Sequence, residues 1–323
     1  MKNILMSSLV LAATLLAPAA GAHGWPSSIE TVALFNPLAL DTPESIVFDR
    51  QGNAYLSMAL TGEIRKIAPN GTQSTLAQLP LGVPMTQCGP LFAVMGALAI
   101  DDREEALYVT LNPCEMENKG VWRIGLDGSK RLLAPFPANA LINGITVVGN
   151  KLYVADSDLQ VIWTVSKFGG TPKVWLDSPL LAANPDIFGP GGNGIQFFGG
   201  ELYVCVSDQL KIVAVPLKLN GRAGTPRVHA ELPYGCDDFA FDLIGNIYAT
   251  TDPSNRLLFV KRDGTTEILF DAEDLLDGPT AASFGRRGLD RFNLYVTNAA
   301  FPFFSVINRP SLMRSTRFIP GPL

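Results

Sequence analysis

A tyrosine recurs along this chain at regular intervals, always in the same local setting. Six of the seven tyrosines are flanked on both sides by Ala, Leu, Ile or Val, and they follow one another at spacings of roughly 45 to 53 residues. They are Tyr55, Tyr108, Tyr153, Tyr203, Tyr248 and Tyr295. A period of this length is typical of repeat architectures, in which each repeat is one small structural unit.

Each tyrosine motif is the second strand of a predicted four-stranded unit. The first strands are predicted at residues 45–48, 97–100, 145–148, 195–198, 239–241 and 281–284. The third strands are predicted at residues 62–67, 120–126, 161–166, 211–217, 256–261 and 312–318. The fourth strands, which follow turns such as Asn70-Gly71, are predicted at residues 74–79, 131–136, 173–176, 227–232 and 266–270.

The sixth unit has no fourth strand at its own end, but a matching segment lies near the start of the chain, at residues 29–35. A strand there can complete the last unit and close the array into a ring, which removes the exposed edges of an open array. The sequence therefore predicts an all-β protein, a six-bladed β-propeller of four-stranded blades whose last blade is closed by an N-terminal strand. The alternatives, a β-helix or a sandwich, fit the repeat length poorly.

The composition agrees with this fold and argues against some classes of binding partner and metal site. Gly (30) and Pro (24) are abundant and no long amphipathic helical pattern occurs, which favours short strands joined by turns. The net charge is −5 and no basic run occurs, so no nucleic-acid partner is expected. The two histidines, His23 and His229, are too few for a centre built from several histidines.

The N-terminal residues have the features of a signal peptide. Lys2 lies in a short basic start, an apolar run covers residues 4–16, and Ala20-Gly21-Ala22 matches a small-residue cleavage signature. A transmembrane anchor is the alternative, but the run is short for a span. We predict a signal peptide over residues 1–22 and a single propeller domain over residues 23–323. The mature chain is expected to have no membrane span and to be exported, to the periplasm or as a secreted protein.

The innermost strand of each propeller blade lines the central channel, so the residue just before that strand faces the channel mouth. Four of the six units carry an oxygen donor there: Glu44, Asn143, Asn193 and Asp237. Two carboxylates and two amides that converge on one axis suit a hard cation, Ca²⁺ first and Mg²⁺ or Mn²⁺ as alternatives.

Each of these residues alone has an ordinary interpretation. The Asn-Gly pairs at Asn143 and Asn193 are usually turns, and an isolated Glu44 is usually a surface charge. The metal-site hypothesis depends on four coincident positions in a register that the tyrosines set independently.

In these features the chain resembles the senescence-marker-protein-30 and gluconolactonase superfamily of six-bladed propellers, which is related to diisopropylfluorophosphatase and the paraoxonases. The resemblance covers the chain from about residue 29 to the C-terminus. It implies a catalytic divalent metal, usually calcium, in the channel, with Glu44, Asn143, Asn193 and Asp237 as its ligands.

The chain departs from the family pattern at the residues that transfer protons. Asp238 stands where a glycine commonly follows the fifth-unit ligand, which resembles the paraoxonases. Ala240 stands where diisopropylfluorophosphatase has a carboxylate, and Gly144 where gluconolactonases have an acid. The paraoxonase histidine pair is missing, and His229 falls in a predicted outer strand. The resemblance therefore implies the metal cage without the family's proton-transfer residues.

We therefore expect an exported, calcium-dependent hydrolase of a lactone or another ester. Calcium lowers the pKa of water less than zinc does, so a separate base is expected. Asp238 is the candidate, its rival roles being a fifth ligand or a polar support of the cage. One alternative is a strictosidine-synthase-like propeller that condenses, isomerises or cyclises its substrate, and another is a non-enzymatic propeller that binds a ligand or a protein.

Loops on the metal face are expected to select a small-molecule substrate. Their candidate residues are Met58, Met85, Phe92, Met95, Asn112, Asp156, Asp252, Asn298, Phe301 and Phe303. Their apolar bias indicates a fairly hydrophobic lactone or ester, although packing of the last blade is an alternative role for Phe301 and Phe303.

Four cysteines in an exported chain permit disulfides. Cys88 and Cys114 lie in links that open on the same face, and we predict a disulfide between them. Cys205 lies within a strand and is expected to be a buried thiol. Cys236 has no neighbouring histidine that would make it a nucleophile.

Overall fold

The computed structural model of the chain describes residues 28–88, 91–101, 103, 105–186, 189–316 and 318–322. The predicted signal peptide and His23 lie outside these residues. The described strands form six antiparallel four-stranded sheets and one short hairpin. The innermost strands of neighbouring sheets contact one another in a closed circle. The sheets are therefore the blades of a six-bladed β-propeller, and the predicted fold class is confirmed.

In blades one to five the four strands run consecutively from the innermost to the outermost. Their bounds are Pro43–Phe48, Ala54–Met58, Glu63–Ile67 and Gln73–Gln78 in blade one, and Val94–Asp101, Ala106–Asn112, Gly120–Gly125 and Lys130–Pro135 in blade two. Blade three has Ile142–Val148, Lys151–Asp156, Val161–Ser166 and Lys173–Asp177, and blade four has Gly192–Phe198, Glu201–Val206, Lys211–Pro216 and Arg227–Glu231. Blade five has Phe239–Phe241, Ile247–Thr251, Arg256–Val260 and Thr266–Phe270.

Blade six contains Pro279–Phe284, Leu294–Asn298, Ser311–Ser315 and, outermost, Ile29–Leu34. The short hairpin pairs Gln87–Cys88 with Leu91–Phe92. Short 3₁₀ helices lie at Pro37–Ala39, Met116–Asn118, Pro179–Leu181, Ala272–Asp274 and Gly288–Phe292.

Blade six is thus built from two distant parts of the sequence. Ile29–Leu34 pairs antiparallel with Ser311–Ser315, so that Ile29 lies opposite Ser315 and Leu34 lies opposite Ser311. The Arg314 guanidinium also pairs with the Glu30 carboxylate across these two strands. The predicted closure of the last blade by an N-terminal strand is confirmed.

The repeated tyrosines belong to the hydrophobic cores between the blades. Tyr55 and Tyr108 are at most 1% exposed, and their rings join clusters that fill the gaps between neighbouring blades. A buried phenol hydroxyl needs a hydrogen-bond partner. In blades one and six an acid between the first two strands provides it: Tyr55 donates to Asp49 at 2.9 Å, and Tyr295 donates to Asp290 at 2.7 Å. Tyr108 donates instead to the backbone carbonyl of Lys167 at 3.5 Å. These hydrogen bonds account for a tyrosine rather than a phenylalanine at the three positions.

A ring of side-chain hydroxyls joins each blade to the next. Each hydroxyl donates to a carbonyl oxygen at the start of the next blade's innermost strand, at 2.6 to 2.9 Å. The donor and acceptor residues are Ser57 and Gly96, Thr110 and Asn143, Ser157 and Gly192, Ser207 and Cys236, Thr250 and Thr280, and Thr280 and Pro43. Because every blade boundary has one such bond, the relative positions of the innermost strands are fixed near the channel.

Two disulfides cross-link the described part of the chain. The predicted disulfide Cys88–Cys114 is present, with Cα atoms 5.3 Å apart. The expectation of a free thiol at Cys205 is wrong, because Cys205 is bonded to Cys236, with Cα atoms 5.7 Å apart. Cys205 lies two positions after its tyrosine, where blades one, two and five carry a hydroxyl that bridges to the next blade, and the disulfide makes the same kind of connection.

The two disulfides indicate an oxidising compartment, as expected of an exported protein. None of the helices in the described ranges has the length and hydropathy of a membrane span.

Candidate functional site

The four predicted oxygen donors lie at one end of the channel because equivalent strands of the blades run side by side. Glu44, Asn143 and Asn193 are each the second residue of an innermost strand, and Asp237 lies just before another. Asn193 Nδ2 donates to Asp237 Oδ1 at 2.6 Å. After burial, repulsion from Glu44 is the next largest cause that raises the pKa of Asp237. Carboxyls from blades one and five therefore approach each other at the channel mouth.

Glycines next to these residues let the innermost strands crowd together. A Cβ on Gly144 would lie 2.7 Å from the backbone nitrogen of Ile195, and a Cβ on Gly194 would lie 2.6 Å from the carbonyl oxygen of Asp237. Such approaches are too close for any side chain, so glycine is required at both positions.

Two serines fix the orientation of the asparagine amides. The Ser157 hydroxyl donates its one proton to the Gly192 carbonyl at 2.8 Å, so it accepts from Asn143 Nδ2, which is 3.4 Å away. The Ser207 hydroxyl likewise donates to a blade-five carbonyl at 2.6 Å and accepts from Asn193 Nδ2 at 3.1 Å. The amide nitrogens are therefore engaged by the serines, and the carbonyl oxygens are the ends that remain for a cation.

The Glu44 carboxyl is surrounded by other acids. Its Oε2 is fully buried and accepts no hydrogen bond from any described residue. Burial, followed by repulsion from Asp252 and Asp238, raises the pKa of Glu44 from its usual 4.5 to about 8. A carboxyl in such surroundings is stabilised when a positive charge takes the place of its proton.

Asp252 belongs to the same acid cluster, although the sequence places it only among the loop residues that face the substrate. Its Oδ1 is buried and has no hydrogen-bond partner within the described ranges. Burial, and then repulsion from Asp277, raises the pKa of Asp252 to about 7. Asp252 in turn raises the pKa of both Glu44 and Asp237. The sequence signal is its place directly after the second strand of blade five, at the end of the blade where the channel opens.

Asp238, the predicted base, is buried and hydrogen-bonded. Its Oδ1 accepts from the Phe239 backbone nitrogen at 2.8 Å and from Gln196 Nε2 at 3.3 Å. Burial raises the pKa of Asp238 to about 7, and the two hydrogen bonds oppose this rise. A carboxyl with a pKa near neutrality can both take up and release a proton at physiological pH.

The chemistry of this donor set suits a hard divalent cation. Calcium is coordinated by carboxylate and amide oxygens, and the buried, unpartnered oxygens of Glu44 and Asp252 gain most from a positive charge. The described ranges contain no group of three or more His, Cys, Asp or Glu side chains with the spacing of a metal site. The predicted ligand set has only two such residues, because its other members, Asn143 and Asn193, are amides. The calcium site stays a prediction that the donor chemistry supports.

An apolar cavity of about 520 Å³ adjoins the acid cluster. Asp252 lies in its wall, so the cavity and the acids share a residue. The apolar residues of the wall include Leu60, Phe92, Val94, Leu141, Phe301, Phe303 and Phe304. A cavity of this kind, with a few polar groups at one side, is the usual form of a small-molecule site.

The ten predicted substrate-facing residues divide into two groups. The cavity wall includes Phe92, Asp252, Phe301 and Phe303. Of the others, Met58 and Met95 are completely buried in the clusters between blades, and Met85 is partly exposed in the linker between blades one and two. The polar atoms of Asn112, Asp156 and Asn298 bind backbone groups of the links between strands. A substrate-facing role for these buried methionines and polar residues is therefore wrong.

No protein-family model matches the chain, and no curated protein sequence is significantly similar to it. Among solved structures, a gluconolactonase from Xanthomonas campestris superposes with a TM-score of 0.65 at 15% identity, over 91% of this chain and 89% of that chain. Regucalcin from Agrobacterium tumefaciens, described as a calcium-binding protein, superposes with a TM-score of 0.63 at 18% identity, over 93% and 98% of the two chains.

A virginiamycin B lyase from Staphylococcus aureus superposes with a TM-score of 0.57 at 14% identity, over 84% of this chain and 82% of that chain. At these identities the similarities establish the fold that the chain shares with these proteins. The resemblance that the sequence suggests is thus confirmed as a shared six-bladed propeller.

Proposed function

We propose that this chain is a calcium-dependent hydrolase of a lactone or another ester, exported by way of a signal peptide over residues 1–22. The observation that carries the proposal is the cluster of buried acids and oriented amides at the channel mouth, beside an apolar cavity. The gluconolactonase and the calcium-binding regucalcin that share the fold support it. Mg²⁺ or Mn²⁺ is the alternative cation.

Glu44, Asn143, Asn193 and Asp237 are the proposed ligands. A cation held by them would supply the positive charge that polarises the substrate carbonyl and balances the negative charge on its oxygen. The protein residues orient the ligands and bind the substrate. Ser157 and Ser207 keep the amide oxygens turned toward the cation, and the cavity holds the apolar part of the substrate out of water.

Asp238 is the proposed general base. It takes a proton from the attacking water as the new carbon–oxygen bond forms, and it returns that proton to the leaving oxygen as the old ester bond breaks. Asp252 is a second candidate for this role, because it lies in the cavity wall, whereas Asp238 Oδ1 is engaged by two hydrogen bonds.

The first test is a panel of lactones and aryl esters, assayed as purified, with EDTA and with calcium restored. Turnover is expected to disappear with EDTA and to return with calcium. Asp237→Ala should abolish it, while Asp127→Ala, in an exposed turn of blade two, should leave it unchanged. An undiminished rate in Asp237→Ala would remove the channel cation from the mechanism.

The two candidate bases are separated by Asp238→Asn and Asp252→Asn. Loss of the base should lower kcat by about 100-fold or more with calcium affinity retained. A variant that instead loses calcium affinity carries a cation ligand, which would contradict the assignment of a base at that position.

Product analysis separates hydrolysis from the alternatives. Hydrolysis adds one water to the substrate, whereas condensation, isomerisation or cyclisation on a strictosidine-synthase-like propeller adds none. A protein that binds calcium and a small molecule without turning over any member of the panel would instead be a ligand-binding propeller.

A further inference from the structure

Three phenylalanine rings stand in a row on one wall of the cavity. The Phe92 and Phe303 rings have centroids 5.5 Å apart and planes 18° apart, and the Phe301 and Phe303 rings have centroids 5.8 Å apart and planes 11° apart. Phe303 is 41% exposed and Phe92 is 37% exposed. Packing alone therefore does not account for Phe92 and Phe303, because more than a third of the surface of each residue is exposed.

The rings come from two loops that are distant in sequence. Phe92 ends the small hairpin, and the Cys88–Cys114 disulfide fastens that hairpin to the link after the second strand of blade two. Phe301 and Phe303 lie in the link between the second and third strands of blade six. The row exists only where these two loops meet.

The blade-six loop is anchored by one buried carboxylate. Asp277 is completely buried, and it accepts hydrogen bonds from the Ser305 hydroxyl at 2.7 Å and from the backbone nitrogen of Val306 at 2.9 Å. Two further backbone nitrogens, of Ile307 and Arg309, donate to the same carboxylate at 3.3 Å. Four hydrogen bonds to one carboxylate hold the loop that carries the aromatic row in a fixed position.

Exposure of a rigid row of aromatic rings to water is unfavourable, and contact of the same rings with an apolar group of a ligand is favourable. Since both loops are already fastened, they would lose little conformational entropy when a ligand binds, which favours tight binding. Polyhydroxylated sugar lactones are poorly suited, because Leu60, Val94 and Leu141 in the same cavity offer their hydroxyls no hydrogen-bond partner. Asp252 lines the same cavity, so a ligand that spans the cavity from the rings can reach the acid cluster.

We propose that Phe92, Phe301 and Phe303 form a specificity site for a large apolar group, such as a phenyl ring, attached next to the lactone or ester carbonyl of the substrate. The inference rests on the proposed hydrolase function and narrows its substrate class. Phe303, the middle ring, is the principal contact, and Asp277 and the Cys88–Cys114 disulfide are positioning elements.

Binding is tested with cyclic ketones, which cannot be hydrolysed. 2-Phenylcyclopentanone should bind the calcium-loaded protein about tenfold or more tightly than cyclopentanone, as measured by ligand-observed NMR. Phe303→Ala and the milder Phe303→Leu should reduce this preference while leaving cyclopentanone binding unchanged. Phe168→Ala, at a phenylalanine that is 60% exposed in blade three, is the matched control and should change neither.

Turnover is tested with α-phenyl-γ-butyrolactone against γ-butyrolactone. The phenyl compound should have the lower KM, and Phe303→Ala should raise that KM about tenfold with little change in kcat. The paired Cys88→Ser and Cys114→Ser change should have a smaller effect in the same direction.

The results separate the two proposals. Phenyl-selective ketone binding without turnover of any lactone would support the aromatic site and contradict the hydrolase function. Turnover of both lactones with equal KM, unchanged in Phe303→Ala, would support the hydrolase and overturn the aromatic site. A dimer that dissociates in Phe303→Ala, with ketone binding unaltered, would show that the rings are an interface between two copies and would equally overturn it.

Discussion

Replacing Glu44 by glutamine is expected to make the calcium-free protein more stable at pH 8. The pKa of Glu44 is raised from 4.5 to about 8, so between these values the folded protein keeps a proton that the unfolded chain has lost. The free energy of unfolding therefore falls as the pH rises through this window. Glutamine does not ionise, so the free energy of unfolding of the variant lacks this part of the pH dependence.

The size of the effect follows from the same two values. A rise from 4.5 to about 8 corresponds to about 5 kcal/mol, at about 1.4 kcal/mol for each tenfold change in an ionisation constant. This is an upper limit, because neighbouring acids respond when Glu44 becomes neutral. The substitution sacrifices no hydrogen bond at Oε2, since that oxygen accepts none from the described residues.

The assay is urea unfolding of the wild type, Glu44→Gln and the exposed control Glu117→Gln, in EDTA at pH 5 and pH 8. The variant should gain a few kcal/mol over the wild type at pH 8 and little at pH 5. Calcium at 100 times its dissociation constant should then stabilise the wild type by about 2.7 kcal/mol and the variant by much less. Equal pH dependence in all three proteins would refute the reasoning about the acid cluster.

The remaining predictions concern the geometry of the same site. Ser207→Ala should lower calcium affinity about tenfold in isothermal titration, because the Asn193 amide nitrogen loses one of its two hydrogen-bond partners and keeps only Asp237; unchanged affinity would contradict that role. Gly194→Ala should lower the free energy of unfolding by about 2 to 3 kcal/mol in urea, since its Cβ would lie 2.6 Å from the Asp237 carbonyl oxygen. Calcium affinity should rise from pH 6 to pH 8, because Glu44 and its neighbours, with pKa values of about 8 and about 7, must release protons to bind it. Titration in buffers of different ionisation enthalpy should detect those protons, and their absence would count against the site.

Local periodicity was enough to predict the fold. The tyrosine motif marks the second strand of every blade, and the alternation of short apolar strands with Gly-rich turns gives the rest. Closure of the ring follows from counting strands, since Ile29–Leu34 has no other partner in a closed array. These features are repeated six times, so errors at single positions do not change the outcome.

Features that occur once, and depend on contacts between blades, were harder to predict. The bond between Cys205 and Cys236 joins two blades, and a buried thiol is an equally good interpretation of a strand cysteine taken alone. The signal is the offset from the tyrosine, because the residue two positions later bridges to the next blade in blades one, two and five. The sequence correctly predicted that Asp252 lies on the face where the channel opens. Its burial depends on the surrounding loops, whose positions the sequence does not predict.

The sharing of blade six by both ends of the described chain sets an order of events during synthesis. Of the described strands, Ile29–Leu34 is synthesised first and Ser311–Ser315 last, so blade six can be completed only after both have been made. Glu44 and Asp237 belong to blades one and five, so the proposed cation would bridge parts of the ring that are distant in sequence. A cation bound there would stabilise the closed ring relative to an open one.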